Sequence, residues 1–386
     1  MARFRFVLAA AGLLCAPVLA GAQDLIRSAY HDIRAVTVAD GLEVPWSIAW
    51  LPDGDMLVTE RPGRLRIVRD GVLLPEPVAG VPAVFAEGQG GLFEVLPHPQ
   101  FTDNHWLYLS YARPLAEGST TVVIRGRFEN DRLTDIEDVF VAQSAGRGHY
   151  GGRLVWDADG YLFVSVGERQ VHPSGDLSAH PAQDLSNHHG VTVRLHDDGS
   201  VPDDNPFVGQ VGALSEIWSY GHRNPQGLAI DPATGILWLG EHGPQGGDEL
   251  NLIQPGRNYG WPVIGYGVNY GSGLAIHGGT RGEGIESPTH FWVPSIATSG
   301  LMIYTGDRFP EWRGNFFVGG LAGQQLARLV PSVDRPGQIE QEETLALGIG
   351  RVRDVRQGPA GYIYLAIEHR GAHSQSQVVR LEPVAR

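Results

Sequence analysis

The chain of 386 residues contains a single cysteine, Cys15, and only 19% of its residues are charged. Cys15 lies in an N-terminal segment that we expect to be cleaved, so the mature chain would contain no cysteine. Disulfides and thiolate metal sites are thereby excluded. Because no basic patch offers the phosphate contacts that nucleic acid needs, nucleic acid is excluded as a partner. Long amphipathic helical patterns are also hard to find.

The N-terminus has the pattern of a secretory signal peptide. Arg3 and Arg5 precede an apolar run at 6–19, and Ala20-Gly21-Ala22 follows as a small-residue cleavage site. The run is too short to span a bilayer comfortably. We therefore expect residues 1–22 to be cleaved and the mature chain, 23–386, to be periplasmic or secreted with no membrane span. The formal net charge of −14, which cleavage makes more negative, indicates a soluble protein.

Glycine, by contrast, is abundant: 52 of the 386 residues are glycine and 26 are proline, whereas glycine usually makes up about 7% of a protein. Nine tryptophans and a hydrophobic fraction of 42% are enough for a sizeable core. This composition indicates many short strands joined by tight turns. It is not the composition of a disordered chain.

One pattern recurs six times along the mature chain: an apolar strand, a polar turn rich in Asp, Pro and Gly, and a second apolar strand. The copies lie at 48–58, 95–110, 154–164, 228–239, 302–318 and 355–365. Their spacing leaves room for the other strands of a four-stranded blade. We therefore predict an all-β fold, a single-domain six-bladed β-propeller of four-stranded antiparallel blades. A β-sandwich built from similar hairpins is the alternative.

Polar motifs are concentrated in the predicted loops, and in a propeller such loops converge on a central channel. Arg223, Arg351 and Arg353 can hold a small planar polyanion by bidentate, charge-assisted hydrogen bonds. His149 can act as a base, with the carboxylate of Glu168 raising its proton affinity and fixing its tautomer. The loop at 243–244 has backbone carbonyls of the kind that calcium accepts as ligands.

These motifs resemble those of the soluble PQQ-dependent aldose sugar dehydrogenases, relatives of soluble quinoprotein glucose dehydrogenase. The resemblance runs from Pro45-Trp46 to the last predicted blade. Its most specific parts are Gly-His-Arg-Asn-Pro-Gln-Gly at 221–227 and Asn-Tyr-Gly-Trp-Pro at 258–262. It implies a six-bladed propeller with pyrroloquinoline quinone (PQQ), calcium and an aldose over the central channel, and an external electron acceptor, either a quinone or a cytochrome. The assembly would be a monomer or a homodimer.

The resemblance also implies a role for each matching residue. His149 would take a proton from the anomeric hydroxyl of the sugar, assisted by Glu168. The other roles are cofactor binding by Arg223, Asn224, Arg351 and Arg353, sugar contact by Gln89 and Tyr270, calcium ligation by the backbone oxygens of Gly243 and Pro244, and a second, structural calcium at Glu249 and the Tyr259 backbone.

The sequence departs from the family pattern at several positions. Ala322 stands where the family often has a cofactor-binding lysine, which predicts weaker cofactor affinity. His242 stands where the glucose enzyme has glutamine. Phe291 and Trp292 only loosely match the aromatic residues near that enzyme's sugar pocket, so the preferred sugar stays open.

Two other functions fit a propeller with these loops. One is a calcium-dependent lactonase, which would use a channel-bound metal and no redox cofactor; the three arginines argue against it, because a neutral lactone does not need them. The other is a non-catalytic propeller that binds a carbohydrate or a protein, and Ala322 gives that hypothesis some weight.

Overall fold

The computed structural model describes residues 25–370 and 375–385, and these form six four-stranded antiparallel sheets. The proposed signal peptide lies outside the described residues. The six sheets are the blades of a six-bladed β-propeller, which confirms the predicted fold class. All six sequence repeats coincide with the first two strands of a blade. No helix in the described residues is long and apolar enough to cross a membrane.

Five blades are each built from four consecutive strands, with the first strand nearest the channel. Blade 1 contains Pro45–Trp50, Met56–Glu60, Arg64–Arg69 and Val72–Leu73; blade 2 contains Leu92–Pro97, Trp106–Pro114, Ser119–Glu129 and Arg132–Val141; blade 3 contains Leu154–Trp156, Leu162–Val166, Val191–Leu195 and Ile217–Tyr220. Blade 4 contains Pro225–Ile230, Leu237–Glu241, Asp248–Ile253 and His290–Trp292; blade 5 contains Thr298–Ile303, Phe316–Gly320, Gln325–Pro331 and Ile339–Leu345.

Blade 6 is assembled from both ends of the chain. It contains Arg351–Gln357, Ile363–Glu368 and Ser376–Val384, and its outer strand is the N-terminal Asp32–Leu42. The first strands of neighbouring blades contact one another around the whole ring, including blades 6 and 1. The short helices among the described residues are the α-helix Phe101–Asn104 and the 3-10 turns Leu177–Ala179, Pro181–Gln183, Pro310–Trp312 and Pro359–Gly361.

Local sequence explains the turns between the first two strands. In blade 3, the Asp157 carboxylate accepts hydrogen bonds from the backbone N–H of Asp159 at 3.0 Å and of Tyr161 at 2.8 Å. Gly160 takes the positive φ of 87° that closes the turn, a conformation that glycine adopts without steric cost.

Apolar side chains of these strands hold the blades together. A hydrophobic cluster fills each junction between neighbouring blades; between blades 3 and 4, for example, Phe163 packs with Leu228 and Leu239. Burying one such side chain contributes about 1.5–3 kcal/mol. The junctions therefore fix the blade angles, and with them the positions of the loops at the channel mouth.

Candidate functional site

A cavity of about 180 Å³ lies at the channel mouth, where first strands begin and second strands end. Its lining includes seven of the residues predicted from the sequence: Gln89, His149, Arg223, Asn224, Tyr270, Arg351 and Arg353. They come from loops and strands more than 250 residues apart along the chain, so only the propeller brings them together.

His149 is held in place by two side chains. Its Nδ1 lies 2.7 Å from Oε1 of Glu168, and its backbone N–H donates to Oε1 of Gln89 at 2.8 Å. Only 6% of His149 and 1% of Glu168 are exposed. Because the carboxylate can only accept, Nδ1 carries the proton and Nε2 keeps its lone pair. Burial lowers the pKa of His149, and Glu168 opposes this only in part; the imidazole is thus neutral and able to take up a proton at pH 7.

The loop around His149 depends on close backbone packing. His149 itself has a φ of +41°, and a Cβ added to Gly167 would lie 2.2 Å from the His149 carbonyl oxygen. Glycine at 167 therefore allows the second strand of blade 3 to end directly behind the histidine, where Glu168 can reach the ring.

The two family-like motifs in blade 4 pack against each other. A Cβ on Gly221 would lie 2.2 Å from Oδ1 of Asn258, and the Trp261 N–H donates to the Gly221 carbonyl at 2.7 Å. The Trp261 ring then lies 5.1 Å from the guanidinium of Arg223. Glu241 accepts from the Arg223 backbone N–H at 2.6 Å. Together these contacts fix where Arg223 enters the cavity.

Two arginines of blade 6 line the cavity, and Arg353 is buried. Arg351 and Arg353 both reach Glu368, at 3.2 Å each. Burial lowers the pKa of Arg353 to about 10 despite this carboxylate. Burial raises the pKa of Glu368, but the neighbouring guanidinium groups more than offset it and bring it to about 2. One carboxylate thus faces several cations, which leaves the cavity with an excess of positive charge.

The amide of Gln226 joins the two sides of the cavity. Its Oε1 accepts from Nη1 of Arg353 at 2.7 Å and lies 3.1 Å from Nε2 of His242. Burial, followed by the charges of Arg353 and Arg223, holds the pKa of His242 well below 6.5. His242 is therefore neutral at pH 7.

The four residues predicted to bind calcium line a second, smaller cavity of about 20 Å³, which shares Arg223 and His242 with the first. They are Gly243, Pro244, Glu249 and Tyr259. A space of this size holds about one water-sized species. Within the described residues, no group of three or more His, Cys, Asp or Glu is arranged to hold a metal ion.

Two features of the smaller cavity bear on cation binding. The Gly243 carbonyl accepts a hydrogen bond from Nη1 of Arg223 at 2.6 Å, so a cation at that oxygen requires the guanidinium to move away. Burial and the nearby carboxylate of Glu241 raise the pKa of Glu249 well above its ordinary value. Two carboxylates in one buried site favour a shared proton or a bound cation.

Several site residues were missed in the sequence. Arg61 and Arg370 line the main cavity with Gln226, and Glu368 lies behind it. Gln226 belongs to the motif at 221–227, but no role was predicted for it. Arg61, Glu368 and Arg370 belong to no motif, and their position at or just after the end of a second strand is the signal that could have selected them. Of the loosely matched aromatic residues, Phe291 stacks on Tyr266 at 3.9 Å and Trp292 is buried; Trp46 and Tyr270 are the aromatic residues of the cavity wall.

Comparison with known proteins identifies the family of this chain. The family model described as glucose/sorbosone dehydrogenase matches residues 42–378. Aldose sugar dehydrogenase YliI of Escherichia coli is 41% identical over 361 residues, which are 91% of this chain and 93% of that protein. Quinoprotein glucose dehydrogenase B of Acinetobacter calcoaceticus is 30% identical over 309 residues, 73% of this chain and 62% of that protein.

A solved structure of an aldose sugar dehydrogenase is also similar to this chain. The PQQ-bound form of aldose sugar dehydrogenase from Streptomyces coelicolor superimposes with a TM-score of 0.73 and 28% identity, covering 92% of this chain and 99% of that one. The resemblance stated from the motifs is thereby confirmed. The chain belongs to the glucose/sorbosone dehydrogenase family and is a sugar-oxidising enzyme of that family.

Proposed function

We propose that this protein is exported and oxidises aldose sugars at the anomeric carbon to the lactone, using PQQ and calcium and passing the electrons to an external acceptor. The observation that carries the proposal is one cavity in which a neutral, buried histidine faces an excess of arginine. The names of two relatives, aldose sugar dehydrogenase and quinoprotein glucose dehydrogenase, support the aldose substrate and the quinone cofactor.

The residues of the cavity fit a planar polycarboxylate such as PQQ. Five arginines line it, and no carboxylate is among the lining residues. Nε of Arg223 and Nε of Arg353 are buried without a hydrogen-bond partner. Buried donors of this kind cost free energy unless a ligand satisfies them. Arg223, Asn224, Arg351 and Arg353 would hold the cofactor, which supplies the hydride-accepting carbonyl chemistry when bound.

His149 would act as the general base. Nε2 accepts the proton of the anomeric hydroxyl, and the resulting imidazolium is stabilised by the Glu168 carboxylate at Nδ1. Gln89, which already accepts from the His149 backbone, and Tyr270 at the rim would orient the sugar. Burial keeps the ring neutral before the sugar arrives, which is the state that a base needs.

Calcium would bind beside this cavity. The backbone oxygens of Gly243 and Pro244 would supply one set of ligands, and Glu249 with the Tyr259 carbonyl another. A divalent cation would offset the repulsion between Glu249 and Glu241, which protonation otherwise relieves. Movement of Arg223 off the Gly243 carbonyl would accompany cation binding there.

The test is reconstitution with PQQ and calcium, followed by dye reduction with several aldoses. We expect turnover that requires PQQ and falls about 10²–10⁴-fold in His149→Ala, because a general base contributes about that much. His105→Ala, in a histidine 43% exposed on the opposite face of the propeller, is the matched control and should keep full activity. Lactone hydrolysis with calcium alone, or no turnover with any aldose, would contradict the proposal.

A further inference from the structure

A buried arginine that the proposed mechanism does not use lies directly behind the base. Arg169 follows Glu168 in the loop after the second strand of blade 3, and only 4% of it is exposed. Its backbone N–H donates to the His149 carbonyl at 3.4 Å. We propose that Arg169 is a positioning residue for His149: it supports the backbone of the base from behind, and its unmatched positive charge favours the neutral imidazole. The inference rests on the proposed function, in which His149 is the base.

The loop that carries His149 packs on Arg169 and on the residue that follows it. A Cβ added to Gly146 would lie 2.7 Å from Cβ of Arg169, and one added to Gly148 would lie 2.2 Å from Oε1 of Gln170. His149, Arg169 and Gln170 all have positive φ, at 41°, 66° and 59°. Such conformations persist only where the surrounding structure holds them. The packing of these two segments on each other therefore supports the base.

The guanidinium of Arg169 is fixed by hydroxyl groups and by the residue next to the base. Nε donates to Oγ of Ser144 at 3.2 Å, Nη2 donates to Oγ1 of Thr121, and the guanidinium carbon lies 4.5 Å from the centroid of the Tyr150 ring. Oγ1 of Thr121 donates in turn to the Tyr150 carbonyl at 2.8 Å. Because Tyr150 follows His149 in the chain, these contacts hold the segment that carries the base.

The charge of Arg169 has no carboxylate as a hydrogen-bond partner. Both side-chain acceptors are hydroxyl groups, and Nη1 is buried without a partner among the described residues. Burial lowers the pKa of Arg169 to about 10, so the side chain is still a cation at pH 7. Burying a cation costs free energy that an uncharged side chain of similar size avoids. Stacking on Tyr150 alone therefore does not explain an arginine at this position, whereas an effect of its charge on neighbouring groups does.

The charged groups that face His149 act in opposite directions. Burial has the largest effect and lowers the pKa of His149, Glu168 raises it, and the cations of Arg223 and Arg169 lower it further. A carboxylate of the cofactor would neutralise Arg223, since Arg223 is one of the residues that would bind it. Arg169 is therefore the cation whose effect on the base would persist in the loaded enzyme.

Two more histidines lie near these groups. Burial keeps His242 neutral. Burial also lowers the pKa of His189 to about 4, and the charge of Arg169 adds to that effect. Neither histidine carries a charge at pH 7 that could act on His149.

The test is Arg169→Met, which keeps an unbranched side chain and removes the charge. In the enzyme reconstituted with PQQ and calcium, the acidic limb of kcat/KM should move to higher pH, because a cation that disfavours the imidazolium is gone. Above the limb, kcat/KM should fall by less than about tenfold, since the base itself is intact. Arg169→Gln removes the same charge but keeps a hydrogen-bond donor, and it should move the limb in the same direction.

Arg194→Met is the matched control. Arg194 is also a buried arginine of blade 3 that stacks on aromatic rings, at 4.1 Å from Tyr161 and 4.7 Å from Trp218. It pairs with Phe163 near the start of the second strand, away from the end that carries Glu168. Whatever this variant does to stability, its acidic limb should not move.

Titration of His149 in the apo-protein separates the inference from the proposed function. With isotope-labelled histidine, the NMR signal of this ring is identified by its absence in His149→Ala, and its midpoint should be higher in Arg169→Met and Arg169→Gln than in the unchanged protein. An unchanged or lower midpoint contradicts the inference, whether or not the enzyme turns over. A raised midpoint with an unmoved limb supports the effect of Arg169 on the imidazole and defeats His149 as the base, and thus the proposed mechanism.

Discussion

Two clusters of charged side chains lie at the centre of the propeller, one among the first strands and one at the channel mouth, and they differ in charge balance. The axial cluster consists of Arg153 and Arg356 with Glu94 and Asp354; Arg153 lies 2.9 Å from each carboxylate, and Arg356 lies 2.7 Å from Glu94 and 2.9 Å from Asp354. The axial cluster therefore contains two cations and two anions, and its charges balance. In the cavity cluster of Arg61, Arg223, Arg351, Arg353 and Arg370, the nearby carboxylate is Glu368.

The pKa of one arginine from each cluster shows the consequence of this difference in charge balance. Burial acts to lower the pKa of both Arg356 and Arg353, but Asp354 and Glu94 more than offset it for Arg356, whose pKa is raised. For Arg353, Glu368 does not offset burial, and the pKa falls to about 10. Desolvated charge that is matched internally holds a fold together. Desolvated charge that is unmatched favours a ligand of the opposite sign.

The largest expected effect breaks the balanced cluster. Glu94→Gln leaves Arg153 and Arg356 with one carboxylate, and we expect the free energy of unfolding to fall by about 3–5 kcal/mol. Chemical denaturation measures it. Glu137→Gln is the matched control, since Glu137 pairs with Arg125 at 2.9 Å but is 54% exposed, and such pairs contribute about 0–1 kcal/mol. Equal losses in both variants would contradict the structural role of the axial cluster.

The second prediction applies to the unbalanced cluster. Arg353→Gln should weaken PQQ binding about 10–100-fold, the loss of about 1.5–3 kcal/mol from a charged hydrogen bond, while stability stays constant or rises because one unmatched cation is gone. Arg356→Gln, three residues along the same strand, should do the reverse: lose stability and keep most of the cofactor affinity. Titration of apo-protein with PQQ, together with denaturation curves, distinguishes the two.

The third prediction concerns pH. Because burial lowers the pKa of His149 below 6.5, the neutral base persists into mildly acidic solution, and kcat/KM should decline only as the pH falls through that lowered pKa. Glu168→Gln removes the carboxylate that opposes the shift, so the acidic limb should move to still lower pH while kcat falls. A limb that moves to higher pH in this variant would contradict the pairing of the two side chains.

The smallest expected effect tests the arginines outside the motifs. Arg370 is 68% exposed at its side chain, so Arg370→Gln should weaken PQQ binding only about two- to fivefold, as screened surface charges do. The chain contains no lysine, so arginines alone, Arg61 and Arg370 among them, can replace the cation that Ala322 omits. Ala322→Lys should strengthen binding if that contact is lacking. Titration of apo-protein with PQQ measures both effects and tests the predicted weaker cofactor affinity.

Much of the fold could be predicted because each blade repeats a local pattern. The turn at Asp157 and Gly160 needs only nearby residues, and all six hairpins predicted in this way occur in the structure. The outer strand Asp32–Leu42 of blade 6 was not predicted, since its partner Ser376–Val384 is at the other end of the chain. Asp248 is fully buried, which its local sequence does not reveal, because its partners at 295–298 lie in the loop and the first strand that lead into the next blade.

The sequence by itself determined the repeat, the family and the motif residues of the site, because these depend on short-range patterns and on residue types at fixed spacing. Only the tertiary structure decided which charges are matched and which arginines outside the motifs face the cavity. The reason is physical: charge balance and cavity shape depend on distances between blades, and hydrophobic packing at the blade junctions sets those distances only after the ring has closed.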